Sequence, residues 1–403
     1  MRIVADLQLH SKYALATSKD MDLEHLAAGA KVKGLGLLGT GDFTHPKWFA
    51  EIKSKLEPIE NTGLFSYSGM TWMLSGEVST VYEQGGRVRK VHHLLYAPDF
   101  ETVAQANDLL SKCARLASDG RPVLKGMDSA ALVEGLTSIS GSFVVIPAHA
   151  WTPWFGMLGS RSGFDSVKEC YQDQAGKIFA LETGLSSDPP MNWRLSSLDS
   201  FALVSNSDAH SPNPWRLGRE ANAFEIQRPS YREVFDSIRQ KDRSRFLFTI
   251  EVDPSYGKYH FTGHKRCGVS MPPQEAQKAG NKCPKCGKKM TIGVLQRVEE
   301  LADRPEGYVP SGAIPFRRLL PLYEVISFAT GVNRLYARPV LEMQDLLIQR
   351  FGSELDVLMD APEGDMAAVV PPRVARAIVA SREGRVTVVP GYDGVYGKPE
   401  FAG

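Results

Sequence analysis

An acid and a histidine stand two positions apart in "SNSDAH", residues 205 to 210, directly after the apolar run Phe201, Ala202, Leu203 and Val204. Alternate side chains of an extended backbone share a face, so Asp208 and His210 can aim at one point beyond the strand's end. A carboxylate and an imidazole so placed form a chelate suited to zinc, manganese or iron. The arrangement recurs. Asp6, Gln8 and His10 follow the strand-like Arg2-Ile3-Val4-Ala5 in "DLQLHS", and Asp42 and His45 follow Leu35 to Leu38 in "GTGDFTH". Glu77 in "LSGEVST", His92 and His93 in "KVHHLLYAP", and His149 in "FVVIPAHA" each adjoin another apolar stretch. Six of the nine histidines fall at these strand ends or edges. Independent core or surface histidines would be scattered, so the clustering favours a metal centre. Whether His92 or His93 faces it is open at this level.

Such residues need elements that bring them together. Strand, loop and helix units with functional residues after each strand describe a parallel barrel, whose site collects at the carboxyl ends of the strands. Helices are expected over 22–33, after Thr17 and Ser18 as cap candidates, and over 100–117, 128–136 and 230–239. The first ~250 residues therefore read as α/β, a length usual for a barrel.

A second constellation lies further on. His264-x2-Cys267 and Cys283-x2-Cys286, separated by 15 residues, have the spacing of a four-ligand structural zinc site, with His260 as a rival fourth ligand. Four protein ligands leave no open position for water, which makes this zinc scaffold rather than catalyst. Lys282, Lys285, Lys288 and Lys289 would help to hold the thiolates deprotonated. A redox pair at Cys283 and Cys286 lacks a thioredoxin-like context, and Cys113 and Cys170 read as ordinary thiols.

Charge alone does not argue for nucleic acid, since the net charge is +1 over 403 residues. Local features do. Arg216 and Arg219 could touch phosphate, and Trp151 and Trp154, directly after His149, could stack a base that has left its helix or simply pin a loop. From residue 304 a Pro/Gly-rich linker leads to helices expected over 318–330, 339–351 and 373–382, then a strand and a tail with Gly391, Gly394 and Gly397 between tyrosines. No signal peptide, membrane span or repeat is evident, so a cytoplasmic protein with reduced cysteines is expected. Three parts are anticipated: 1–250 the metal barrel, 251–303 the zinc module, and 304–403 the helical region with its terminal strand and turns.

"DLQLHS", "GTGDFTH", "GEVS", "HHLL", "PAH" and "SDAH" stand in the order of the motifs of the polymerase and histidinol phosphatase (PHP) phosphoesterases. That resemblance implies an α/β fold built on a distorted (β/α)7 barrel holding up to three metal ions. The family usually has histidine where this chain has Gln8, a poorer ligand. The blocks "TIEVDPSYGKYHFTGHKRCG", "CPKCGKKMTIGVLQRVEELADRPEGY" and "PGYDGVYG" narrow the resemblance to endonuclease Q, nearly end to end. It implies cleavage of DNA 5′ of uracil, hypoxanthine, xanthine or abasic sites. Asp208, His210, His149 and Glu77 would be catalytic, within a ligand set drawn from Asp6, Gln8, His10, Asp42, His45, Glu77, His92, His93, His149, Asp208 and His210. Zn2+ in the structural and active sites, Mg2+ or Mn2+ in the active site, lesion-bearing DNA and a sliding clamp are the expected cofactors and partners. The competing readings are a PHP-type phosphatase of small esters and a catalytically weakened DNA-binding homologue.

Overall fold

Ile3, Val4 and Ala5 are buried in Arg2–Asp6 (β1), a strand covered on both faces. The structure, a computed structural model, describes residues 2–332, 334 and 336–401. After β1 come α1 (Leu23–Lys33), β2 (Leu37–Gly39), β3 (Met70–Gln84), β4 (Arg87–Ala97), β5 (Val144–Pro147), β6 (Ala180–Glu182), β7 (Ala202–Val204), β8 (Ala221–Glu225) and β9 (Phe246–Glu251). Then follow β10 (Thr262–His264), β11 (Val269–Met271) and the helices α2 (Leu322–Thr330), α3 (Arg338–Phe351), α4 (Glu354–Met359) and α5 (Pro372–Arg382).

The architecture is mixed α/β around a central sheet of 11 strands. Its middle is parallel, with Ala5 opposite Leu37 between β1 and β2, and Leu38 opposite Trp72 between β2 and β3. The wholly parallel arrangement expected from the strand, loop and helix pattern is not what forms. β3 and β4 are antiparallel, as are β4 and β5, β1 and β8, and β8 and β9. The reason is local for β3 and β4: only Gly85 and Gly86, at φ 63° and 69°, separate them, and a two-residue connection can join only antiparallel strands. β6 and β7 form a separate parallel pair. One face of these strands contributes to a single apolar core that includes Ala5, Leu37, Met73, Leu94, Ile146, Ala180, Val204 and Phe224. The opposite faces pack beneath helices around Leu26, Trp48 and Trp72.

Helix boundaries follow their caps. Asp22, not Thr17 or Ser18, caps α1 by accepting from the His25 amide, and Gly34 ends it at φ 96°. The helix expected from 318 starts at Leu322, because Phe316–Arg318 pairs with β9 and Pro321 supplies the N-cap position. Across the chain, the buried Lys33 ammonium of α1 donates to Glu354 Oε1 at 2.7 Å and to the Pro214 carbonyl at 2.9 Å. That contact ties the carboxyl-terminal helices to the segment following β7. Among the described residues no helix is long and apolar enough to cross a membrane.

Candidate metal centre and its cavity

Glu77 and His92 project from within β3 and β4, while His10, His149, Asp208 and His210 lie in the segments that follow β1, β5 and β7, and two groups of ligand type result. His10, Asp208 and His210 form one, and Glu77, His92 and His149 the other; within each, the ligand atoms lie within 4.8 Å of one another. The groups adjoin. His10 Nε2 lies 3.1 Å from Asp208 Oδ1 and 3.3 Å from Glu77 Oε2, and His92 Nδ1 lies 2.8 Å from Glu77 Oε1 and 2.9 Å from His149 Nε2.

This packing of donors fits cations. Close as they are to one another, His10 Nε2, Glu77 Oε1 and Asp208 Oδ1 are buried with no well-directed hydrogen bond among the described residues, a state that costs free energy unless something else satisfies them. Backbone strain points the same way. His149 and Asp208 sit at φ 30° and 49°, in the left-handed region that non-glycine residues avoid at a cost of about 1–3 kcal/mol each.

Electrostatics prepare the donors. Burial pushes the Asp208 and Glu77 carboxyls up, but His10 beside Asp208, and Arg121 and His92 beside Glu77, bring both below the usual carboxylate range. Arg121 stands 3.5 Å from Glu77 Oε1. Burial lowers His92 to about 4, so its imidazole is neutral. Burial also works against the charged forms of His10 and His149, yet Asp42 and Asp208 raise His10, and Glu182 and Glu77 raise His149. A histidine ligand backed by a carboxylate is oriented and made more basic; Asp42 does this through Oδ1, 2.9 Å from His10 Nδ1.

Several expected ligands have other partners. Asp6 accepts from the Ser207 amide, the Ser207 hydroxyl and the Gly218 amide, which pins the Asp208 turn onto β1. Asp42 is engaged by His10 and Ser11. His45 stacks on Tyr13 with ring centroids 4.6 Å apart and belongs to neither group. His93 faces away from His92, with Nε2 3.0 Å from the Thr80 hydroxyl and Nδ1 2.9 Å from the Tyr171 hydroxyl. Gln8 donates from Nε2 to Glu77 Oε2 at 2.8 Å, and its buried Oε1 has no hydrogen-bond partner among the described residues. It therefore supports the second group rather than completing it.

Arg121, Lys258, Tyr259 and Glu182 escaped the sequence reading, and the first three carry no signal in the sequence. Glu182 ends β6, accepts from the His149 amide at 2.8 Å through Oε2, and accepts from Asn206 at 2.7 Å through Oε1. "IFALE" carries the same apolar-then-acid signal as the other strand ends, but no histidine marks it.

A cavity of about 680 Å³ opens over the cluster. Gln8, His92, His149, Glu182, Asp208 and His210 line it on the metal-ligand side, and Arg121, Arg216, Arg219 and Lys258 supply positive charge. Trp154 lines it too, 40% exposed and edge-on to Tyr259 at 5.6 Å. Trp151 does not: it is fully buried, and its indole N–H donates to Asn192. Arg219 also donates to the Ser207 carbonyl, next to Asp208.

Away from this cavity, His264, Cys267, Cys283 and Cys286 converge within 4.8 Å. His264 ends β10, which pairs with β11 in a hairpin. Gly268 and Gly287, at φ 61° and 70°, turn the chain back after Cys267 and Cys286. Burial raises the Cys283 thiol, but the Lys285 amide and His264 bring it down to about 6, the thiolate form a metal needs. His260 is buried elsewhere, stacked on Phe261.

Comparison with known proteins adds the family. A family model described as the MJ0043 C-terminal domain matches residues 321–385. The chain is 34% identical over 255 residues to protein MJ0043 of Methanocaldococcus jannaschii, a match over 63% of this chain that spans 31% of that relative's length. Two solved structures align over all of it. The lesion-specific endonuclease PfuEndoQ from Pyrococcus furiosus has TM-score 0.89 and 36% identity, with 96% of its chain covered. Endonuclease Q in complex with a 27-mer duplex substrate bearing an abasic lesion at the active site has TM-score 0.89 and 35% identity, with 97% covered.

Proposed function

The chain belongs to the endonuclease Q family, and we propose that it is a metal-dependent DNA repair endonuclease that hydrolyses the phosphodiester 5′ of a deaminated base (uracil, hypoxanthine or xanthine) or an abasic site. The observation that carries this reading is the meeting of two three-ligand groups at His10 and Glu77, under a cationic cavity, in a chain that aligns end to end with lesion-specific endonucleases.

We read the strands as the wall of a PHP-type (β/α)7 barrel. Support comes from the core shared by one face of β1 to β8, and from backbone contacts that continue around it: Ala150 to Glu182, Thr183 to Val204, and His10 to Ala209. The cysteine and histidine group would hold a structural zinc, and residues 251–303 and 304–403 would be the units appended to a barrel of 1–250.

His10, Asp208 and His210, with Glu77, His92 and His149, would hold Mg2+, Mn2+ or Zn2+. Bound cations would supply Lewis acidity and bring the ionisation of water to about neutral pH. The chain's own groups do the rest. Asp208 and Glu77 stay ionised as donors, Asp42 orients the His10 ring, Glu182 holds the His149 backbone amide, and Arg121, Arg216 and Arg219 place the strand's phosphates over the cluster. A deaminated base pairs poorly, so the cost of drawing it out, of the order of a few kcal/mol for any base, is smaller than for a normal one. Trp154 and Tyr259 offer it aromatic surface.

The test uses end-labelled duplexes carrying one deoxyuridine, deoxyinosine, abasic site or normal base, with Mg2+ or Mn2+. One cut immediately 5′ of the lesion, absent with the normal base and lost in Asp208→Ala, is expected. Turnover of p-nitrophenyl phosphate with no cut in any duplex would overturn the reading in favour of a small-ester phosphatase.

A further inference from the structure

The segment between His10 and α1 supplies none of the ligand-type residues of the metal groups, yet it carries Leu15, 70% exposed, more than any other large hydrophobic side chain described. Single exposed leucines are ordinary on protein surfaces. What sets this one apart is the stiffness of its support and its place.

A set of hydrogen bonds pins the tip. The Ser11 amide and hydroxyl donate to Asp42, and the Thr17 hydroxyl donates to the Ser11 and Ala14 carbonyls. The Ala14 amide donates to the Ser11 carbonyl, the Leu15 amide to Asp119, and the Ser18 amide to the carbonyl of His210. Tyr13 is stacked on His45. Ala16 is held at φ 64° and lines the 680 Å³ cavity. The loop thus runs from one metal-group histidine to contact with another, and presents an apolar side chain from a pinned backbone beside the cavity. That matters, because a backbone ordered in advance loses little freedom on binding.

Resting on the nuclease reading, we propose that Leu15 is the wedge that enters the base stack of duplex DNA at the gap left by the extruded nucleotide. An apolar side chain inserted between base steps props them apart and keeps an expelled nucleotide from returning. The occupant is fixed by complementarity. Cations at Arg121, Arg216, Arg219 and Lys258 suit the phosphates of the strand entering the cavity, while Leu15, uncharged and next to the cavity-lining Ala16, meets what that strand leaves behind: the apolar faces of the neighbouring bases.

A single strand has no stack to prop open, which gives the test. Single-turnover cleavage of one deoxyuridine is compared in duplex and in single-stranded oligonucleotides, for the wild type, Leu15→Ala and Leu15→Phe. The proposal expects Leu15→Ala to lose at least tenfold in rate on the duplex and less than twofold on the single strand, with Leu15→Phe retaining duplex cleavage. Equal loss on both substrates, or no loss on either, would overturn the wedge while leaving the nuclease reading intact. A wild-type protein that cuts neither substrate would overturn the nuclease reading and the wedge with it.

Discussion

Glu182 and His93 show what a strand end can and cannot reveal about its own chemistry. Asp208 and His210 do lie close together, but with Asp208 at φ 49° their meeting is set by the turn rather than by the alternation of an extended strand. His92 and His93 are adjacent, so one must point away, but nothing inside "KVHHLLYAP" fixes the phase. The partner strands settle it: His93 pairs with Val78 on one side and Pro147 on the other, and its ring turns to Thr80 and Tyr171. Asp6 and Asp42 have the residue type of ligands and are taken up by Ser207, Gly218, Ser11 and His10, contacts between residues as much as 212 positions apart that no local pattern encodes. Glu182 has the converse history, invisible as a lone acid and central once folded. Glu182→Ala is therefore expected to weaken metal binding by about 10–100-fold, the usual cost of losing a group that orients a histidine ligand. Isothermal titration of the metal-stripped protein with Mn2+ measures it; affinity equal to that of the wild type would remove Glu182 from the site.

At the scale of elements, strands and most helices were legible and their pairing was not. Apolar runs and caps such as Asp128 and Ser230 mark where segments begin, whereas whether two strands run parallel depends on the length of the connection, as the Gly85-Gly86 turn shows. Tryptophans misled for a related reason: Trp151 and Trp154 are three apart in one loop, and only packing against Asn192 or Tyr259 separates core from cavity wall. Packing also creates a liability between elements. Glu220, just before β8, and Glu251, at the end of β9, are fully buried together. Burial and then Asp188 push Glu251 up to about 8, and burial and then Glu251 raise Glu220 well above its usual range. The folded state thus keeps a proton on Glu251 that the unfolded chain has released. That stability is complete below the unfolded value near 4.5 and is lost as pH rises toward 8. Unfolding by urea should show the wild type weakening over that interval and Glu251→Gln with a flatter profile; identical profiles would refute the protonated pair.

At the scale of the molecule, the two sets of ligands divide the work. The four-ligand group would close its coordination on itself, whereas the other cluster is built from β3, β4 and the segments after β1, β5 and β7 and opens on a cavity. The Lys33 and Glu354 pair, buried to 2% and 0% side-chain exposure, carries the carboxyl-terminal helices to the loop bearing Arg216, so the cationic wall and the helical region are built as one. The measurement that tests the metal assignment most directly is elemental analysis of the chelator-stripped protein after refilling with Zn2+ and Mn2+, alongside Asp208→Ala/His149→Ala. The expected result is one equivalent in both proteins, held by His264, Cys267, Cys283 and Cys286, and further equivalents in the wild type alone. One equivalent in each, with no additional metal in the wild type, would contradict a metal centre at the strand ends.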